Sequence, residues 1–383
     1  MKKALPYACY FIPVLVLTLI GIGDSSYLVV THYRNYTDLA YSSFCALSKA
    51  FNCDTVAQSP FSMLLGLPLA LWGFLSYCAF LALLLTVRKR VSEHMAVWGI
   101  LLLLSFTFSC FSLYLGYISA TKIYSYCILC LISYAVSFSL FFFCLLIRNR
   151  FVKQTLIKSV QHSILHVSSK PYFLNFFLMF IIVSLAIRAF LPHYWDYTAT
   201  PLDTKIRHGF TDDGHPWIGA ENPRLIVEEY SDYECFQCYK MHFFLRRLVE
   251  HYPDRIRLVH HNYPMDNVYN PIIVPSPFHV GSRKLALLAI YSATQGKFWE
   301  TNDALYTLGR KKEPFNTRTL AQETGLSSKN LVAALYSPEI KQLLTRDIWQ
   351  GMKLRIMGTP AFVINGKVYE SNIPSQILSA AMQ

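Results

Sequence analysis

The stretch IYSYCILCLISYAVSFSLFFFCLLI, residues 123–147, decides the architecture. It is an uncharged, strongly apolar run longer than the ~20 residues that cross a bilayer as a helix. Near its start stand two cysteines one helical turn apart, Cys127 and Cys130. A Cys-x-x-Cys at the lip of a membrane helix can meet both aqueous thiols and a lipid-soluble oxidant. Similar runs lie upstream at Leu5–Val30, Phe61–Val87 and Met95–Ala120, and one lies downstream at Tyr172–Leu191. These five spans explain why a chain of 383 residues is 53% hydrophobic and only 15% charged. Beyond Leu191 the apolar crowding ends, so a membrane part precedes a water-soluble tail.

Basic flanks set the orientation, because Lys and Arg stay on the cytoplasmic side. Lys2, Lys3, Arg88, Lys89, Arg90, Arg148, Arg150, Lys153, Lys158 and Lys170 fall on one side of the alternating spans. Arg34, Lys49, Lys122 and Arg188 fall on the other, the last able to snorkel outward from the fifth span. The amino terminus is therefore expected inside, and an odd number of spans exports the tail. The tail is nearly balanced in charge, so the net +12 belongs chiefly to the cytoplasmic loops and gives nucleic-acid binding no support. The Lys-Lys start also fits a secretory signal, although the apolar stretch is long and shows no A-x-A cleavage pattern. Cleavage would leave the loop around Cys45 on the same side.

The expected organisation is a four-span unit over residues 1–150, a basic cytoplasmic loop and fifth span over 151–192, a periplasmic linker over 193–222, and an α/β domain over 223–383. Pro201, Asp212-Asp213-Gly214 and Pro216 give the linker its turn chemistry. In the tail, Leu225–Tyr230 and Ile256–His260 read as strands, and Cys235–His251 as a helix with Met241, Phe244, Leu245 and Leu248 on one face. A helical insertion runs from about Arg283 to Arg355. Ala361–Ile364 and Val368–Tyr369 flank Asn365-Gly366, a hairpin signal, and a last helix starts near Ile373.

Cys235-Phe236-Gln237-Cys238 sits where strand and turn pass into a helix. Unpaired N–H groups and the dipole there favour a thiolate, making Cys235 the attacking sulfur and Cys238 the resolving one. Glu229, on the preceding strand, is placed to exchange a proton with Cys238. The alternatives for this pair are half a zinc site, with His242, His260 or His261 as further ligands, and a permanent disulfide. No second ligand pair has metal spacing, and His260-His261 reads as strand and surface, so no metal is assigned. The segment Glu229-Tyr230-Ser231-Asp232-Tyr233-Glu234-Cys235-Phe236-Gln237-Cys238 resembles the active site of DsbA-like thioredoxin-fold proteins. The resemblance continues at Gly296–Glu300 and Gly358–Gly366. It implies that Thr359-Pro360 is a cis peptide facing the cysteines and that it docks the substrate polypeptide.

In the membrane half, Cys45 and Cys53, with seven residues between them, can close a disulfide in the exported loop. With Asn52-Cys53-Asp54, Ser59-Pro60-Phe61-Ser62, Gly66–Ala70, Cys127-x-x-Cys130 and Tyr134, residues 10–147 resemble the vitamin K epoxide reductase family. That resemblance implies a four-helix bundle binding a quinone beside the Cys-x-x-Cys. It implies further that Cys130 contacts the quinone, Cys127 exchanges with Cys53, Cys45 exchanges with the soluble partner, and Ser59 and Tyr134 line the quinone site. Ser59 as a helix cap and Tyr134 as core aromatic are the plainer readings. Asp24 is costly within a span unless paired, and Cys9, Cys78, Cys110 and Cys144 read as packing residues.

The two halves together read as an all-α transmembrane bundle with a fifth helix, joined to an α/β thioredoxin-like domain. The expected activity is a thiol:quinone oxidoreductase of the bacterial cytoplasmic membrane. Its substrates are reduced extracytoplasmic proteins, and its acceptor is ubiquinone or menaquinone from the membrane pool. An anchored disulfide isomerase and an epoxide reductase are the competing readings.

Overall fold

The computed structural model describes residues 6–39, 41–48, 50–87, 95–151, 171–195, 206–309 and 315–382. The chain divides into a helical unit, Met1–Thr37 with Ser42–Asp196, and an α/β unit, Tyr197–Gln383 with Asp38–Tyr41.

Helix α1 covers Ala8–Thr37, and its buried residues Phe11, Val14, Thr18, Gly21 and Ser25 recur at spacings of three and four, the pattern of a bundle seam. Gly21 permits the closest approach, since a Cβ there would lie 2.7 Å from the Tyr77 ring. After the short α2 (Cys53–Gln58), the bundle continues with α3 (Leu69–Thr86), α4 (Met95–Ile118) and α5 (Ile128–Phe151). Phe80, Leu84, Trp98, Leu101, Leu140 and Ile147 are fully buried between them. Leu113, by contrast, is 63% exposed and Ile182 64%. Apolar surface of that kind on helices this long belongs against lipid rather than water. Four helices among the described residues, including all of α1, α3 and α5, are long and apolar enough to cross a membrane.

Three boundaries differ from the sequence expectation. The second span begins at Leu69 rather than Phe61, because Pro60–Ser62 form a 3₁₀ turn and β1 (Met63–Leu64) folds back on β2 (Leu67–Pro68). The hairpin turn uses Leu65 at φ 51° and Gly66 at φ 79°. Gly66 also lies under Arg188, whose Nε is 3.2 Å from where a Cβ would be. The run that opens at Ile123 is helical only from Ile128, because a π turn over Ser119–Ile123 ends in left-handed Tyr124. The fifth expected span is a helix, α6 (Pro171–Phe190), but its apolar stretch Leu174–Phe190 is shorter than the other four. Lys2, Lys3, Lys49, Arg88–Arg90 and the loop residues Lys153, Lys158 and Lys170 lie outside the described residues, as does Pro201.

The second unit is built on a six-stranded sheet. In chain order its strands are β3 (His208–Phe210), β4 (Pro216–Gly219), β5 (Leu225–Ser231), β6 (Ile256–Asn262), β7 (Ala361–Ile364) and β8 (Lys367–Glu370), arranged β3-β4-β6-β5-β7-β8. β5 and β6 run parallel, in register from Leu225↔Ile256 to Ser231↔Asn262, and the other pairs are antiparallel. A parallel pair needs a crossover, which α7 (Phe236–His251) supplies. Val227 and Leu258 are fully buried at the centre, each contributing roughly 2 kcal/mol of apolar burial. The insertion comprises α8 (Ser282–Thr294), α9 (Phe298–Gly309), α10 (Thr317–Thr324), α11 (Ser328–Ala334) and α12 (Pro338–Lys353), and α13 (Ser375–Met382) closes the fold. Asn365 at φ 50° and Gly366 at φ 75° form the β7–β8 turn that Asn-Gly signals.

The segment 193–222 is only partly a tether, since β3 and β4 are strands of the sheet. Its Thr211–Gly214 turn chemistry was legible, and Gly214 at φ 85° donates its N–H to the Thr211 carbonyl at 2.8 Å. The flanking strands have three and four residues, too few for a period of two to stand out. Gly219, at φ 116°, would place a Cβ 2.1 Å from the Ile256 carbonyl, so the β4–β6 contact depends on glycine.

Candidate redox sites

In the α/β unit, the backbone around Asp232 places the first cysteine. Asp232 Oδ1 accepts the Glu234 N–H at 2.7 Å, and its carbonyl accepts the Cys235 N–H at 3.2 Å. This Asx-type turn leaves Cys235 as the N-cap of α7, where its Sγ accepts the Cys238 N–H at 3.2 Å. Cys235 is 8% exposed and Cys238 1%, so attack from outside favours Cys235. Thr359-Pro360 is cis, and the Cys235 Sγ lies 3.4 Å from the Thr359 carbonyl oxygen.

A second feature escaped the sequence reading. The fully buried Asp232 Oδ2 accepts the Met265 N–H at 2.5 Å and the Ser282 hydroxyl at 3.0 Å, and it pairs with His279 Nδ1 at 3.1 Å. Burial alone would lower the His279 pKa, but Asp232 outweighs it and raises it to about 9, so the imidazole is a cation at neutral pH. Burial likewise pushes the Cys235 thiol up, yet the hydrogen bond from Cys238 and the His279 charge outweigh it and bring Cys235 to about 7. Burial and the neighbouring Cys235 sulfur hold Cys238 well above the ordinary thiol range. The two sulfurs thus differ in acidity, Cys235 the more readily ionised and Cys238 held protonated. Asp232 could be found as a turn residue three positions before the cysteine. His279 lies in an irregular segment without periodicity and offered no signal.

Glu229 is buried on β5, where its Oε1 accepts from His242 Nδ1 and His260 Nδ1, both at 2.8 Å. Burial would raise its carboxyl, but the two imidazoles lower it to about 2. His242 also faces Asp303 Oδ1 at 3.0 Å through its other nitrogen, and these carboxylates raise it against the lowering effect of burial. Among the described hydrogen bonds of Glu229, none reaches a sulfur. His260 and His261 are both buried, contrary to the surface reading, and His261 stacks on Tyr230 with centroids 4.3 Å apart. They sit on opposite faces of a central strand, which leaves neither in water.

In the helical unit, Cys45 and Cys53 form a disulfide and cluster with Cys127, all three buried. The loop is fixed from both ends. Asn52 caps α2 by accepting the N–H groups of Asp54 and Thr55, while Asp54 accepts the Asn35 amide at 3.0 Å and the Ser43 N–H at 2.8 Å. The Asn52 N–H bonds the Tyr126 carbonyl at 2.9 Å, and the Tyr126 N–H bonds the Ala50 carbonyl at 2.8 Å, lacing the loop to the strand-like approach to Cys127. Cys127 Sγ accepts the Cys130 N–H at 3.1 Å.

Beside these sulfurs a cavity of about 380 Å³ opens into the bundle. Cys53, Ser59, Cys127, Cys130 and Tyr134 all line it, and Leu28, Phe61, Phe108, Phe111 and Leu115 supply apolar wall. Ser59 does not cap α3, whose N-cap position is Pro68; its hydroxyl donates to the Val56 carbonyl at 2.8 Å. Tyr134 packs near Gly116 and borders the cavity rather than filling the core. Asp24 is paired: the Ser133 hydroxyl donates to its Oδ2 at 2.6 Å. The volume falls in the range of small-molecule sites, and the mostly apolar wall carries several hydroxyls, those of Ser59 and Tyr134 among them.

Residues 12–145 match the Vitamin K epoxide reductase family, and residues 211–383 match the family described as Thioredoxin. Among curated proteins, the Na(+)/H(+) antiporter NhaA of Herminiimonas arsenicoxydans is 25% identical over 183 residues, 48% of this chain and 26% of that protein. The chain thus spans about a quarter of the length of the curated relative it matches. Among solved structures, a thioredoxin-like oxidoreductase from Silicibacter pomeroyi DSS-3 is 23% identical, covering 45% of this chain and 91% of that one with a TM-score of 0.37. The catalytic domain of Proteus mirabilis ScsC is 22% identical, covering 45% and 89% with a TM-score of 0.33. The chain carries a vitamin K epoxide reductase family domain at residues 12–145 and a thioredoxin-like domain at residues 211–383.

Proposed function

We propose that the protein makes disulfide bonds in exported proteins and delivers the electrons to a membrane quinone, ubiquinone or menaquinone. The observation that carries the reading is the largely apolar bundle cavity, lined by Cys53, Cys127 and Cys130 together with Ser59 and Tyr134. In this reading the chain lies in the bacterial cytoplasmic membrane, amino terminus inside, with α6 crossing as a fifth span and the thioredoxin-like domain in the periplasm.

Thr359-Pro360 docks a reduced polypeptide, and its thiolate attacks the Cys235–Cys238 disulfide at Cys235. When the client disulfide closes, Cys235 leaves as a thiolate, favoured by its helix N-terminus and by His279. Cys45 accepts the next exchange from this dithiol, Cys53 passes it to Cys127, and Cys130 closes on Cys127. Glu229, held by His242 and His260 on the strand before the pair, is the carboxylate that exchanges a proton with Cys238. Ser59, whose hydroxyl proton is committed to Val56, offers an acceptor to the hydroxyl of the quinol, and Tyr134 offers a donor to a quinone carbonyl. A quinone bound there supplies a two-electron, two-proton sink. Tethering makes the exchange between the two units intramolecular, at an effective concentration of ~mM for a flexible link.

The test is the redox state of Cys235/Cys238 in membranes, trapped by alkylation and read by gel shift, in the intact protein, in Cys130→Ala and after quinone depletion. Oxidation in the first and reduction in the other two supports the relay. A pair indifferent to both changes refutes it and leaves an anchored isomerase.

A further inference from the structure

Closing a disulfide inside an apolar cavity requires somewhere for thiol protons to go. Within α1, α3, α4 and α5 there is a single carboxyl group, Asp24. A carboxyl at that depth is costly and is retained in membrane spans chiefly where it has a partner and a task. Its partner is Ser133, which donates to Oδ2 at 2.6 Å and also lines the cavity. Ser133 stands three residues after Cys130 on α5, one helical turn away, so the hydroxyl and the sulfur share a helix face. Ser133 thus stands on the cavity wall and donates to Asp24.

We propose that Asp24 and Ser133 form a proton relay for the membrane Cys-x-x-Cys: Ser133 passes a thiol proton of Cys130 to Asp24, which stores it and returns it to the cavity. The return half of this role rests on the quinone reading above. The balance needs no further reactant. The Cys127/Cys130 dithiol loses two electrons and two protons as its S–S bond forms, and a quinone becoming quinol gains both. Asp24 carries one of those protons in transit and is itself unchanged at the end. As a base acting through a hydroxyl, it gives the Cys130 proton somewhere to go. Asp24 and Ser133 are positioning and proton-holding residues, and the sulfur remains the reacting atom.

Two readouts on the full chain in detergent separate this relay from the quinone reading. In quinone-free protein with reduced cavity thiols, the rate at which a lipophilic maleimide alkylates Cys130 is followed against pH by peptide mass spectrometry. With added ubiquinone or menaquinone, quinol formation from a reduced thiol donor is followed by absorbance. Asp24→Asn is expected to move the alkylation profile to lower pH, because a carboxylate charge beside a thiol opposes its ionisation, and to slow quinol formation about tenfold or more, because the general acid–base group is lost. Ser133→Ala should slow quinol formation more weakly, and Asp24→Glu should restore both readouts. An unchanged alkylation profile in Asp24→Asn overturns the relay, including the case in which quinol formation slows, because a merely structural carboxyl would act that way. If the profile shifts but the intact protein forms no quinol, Asp24 stands as the base and the quinone reading falls. The Cys45–Cys53 disulfide and gel filtration report whether each variant folds, and Ser133→Ala carries the test if Asp24→Asn does not.

Discussion

Replacing His279 with glutamine removes one positive charge beside Cys235 while keeping a hydrogen-bonding side chain of similar size. In the native protein His279 titrates at about 9 and Cys235 at about 7. At pH 7 the cation is therefore present and about half of the Cys235 thiol is ionised. Loss of a nearby charge typically moves a thiol by a unit or more. A one-unit rise, from about 7 to ~8, cuts the thiolate at pH 7 from about half to roughly one part in eleven, while the more basic sulfur becomes ~3-fold more nucleophilic. The two effects oppose each other, and pH decides which wins. At pH 6 the variant should react with a neutral alkylating reagent ~3-fold more slowly, near pH 7.5 the two proteins should be equal, and at pH 9 the variant should be ~3-fold faster. The assay is iodoacetamide labelling of the reduced full chain, with the Cys235 peptide quantified by mass spectrometry at each pH. Parallel curves, with the variant slower or equal throughout, would show that His279 does not set the thiolate and that the turn and helix N-terminus suffice.

Removing Cys45 and Cys130 together, by Cys45→Ala and Cys130→Ala, leaves Cys53 and Cys127 in their shared buried cluster with no resolving thiol. On mild oxidation with diamide they should be trapped as a Cys53–Cys127 disulfide on non-reducing peptide maps, and its absence would deny the Cys53-to-Cys127 exchange. Glu229 has a folded-state carboxyl near 2 against 4.5. Its contribution is therefore present above about pH 4.5 and lost as pH falls toward 2, and Glu229→Gln should cost ~3 kcal/mol at neutral pH and flatten that acid limb in pulse proteolysis. Persistence of the native acid limb in the variant would assign it to other groups. Gly351→Ala places a Cβ 2.4 Å from the Tyr263 ring and 3.2 Å from Tyr230. Pushing α12 off the sheet there should cost about 1–3 kcal/mol, and a neutral substitution would mean that the tyrosine ring turns aside.

What the sequence displayed and what it concealed divide along a physical line. Covalently local signals were legible: apolar length gave the spans, Asn365-Gly366 gave the hairpin, and a cysteine after a turn and before a helical pattern gave the Cys235 N-cap. Tertiary pairings were not. Glu229 was noticed because it lies six residues before Cys235, but its partners are His242 and His260, one on the crossover helix and one on the next strand, so spacing from the cysteines could not reveal them. His279 meets Asp232 across a gap of forty-seven positions, and Asp24 meets Ser133 across 109, with no periodicity linking either pair. The two pairs also point to a common requirement. A thiol does its chemistry as a thiolate, and each Cys-x-x-Cys lies in a place that disfavours the charge, one buried under a loop and the other beside an apolar cavity. At Cys235 the fold supplies a helix N-terminus and a cation, which lower the cost of ionisation directly. At Cys130 the wall offers no cation among the described residues lining the cavity except through His32, which is turned toward Tyr194 and Ser62. What remains within a hydrogen-bonded step of that wall is a carboxyl, and a carboxyl can help a buried thiol ionise only by taking its proton.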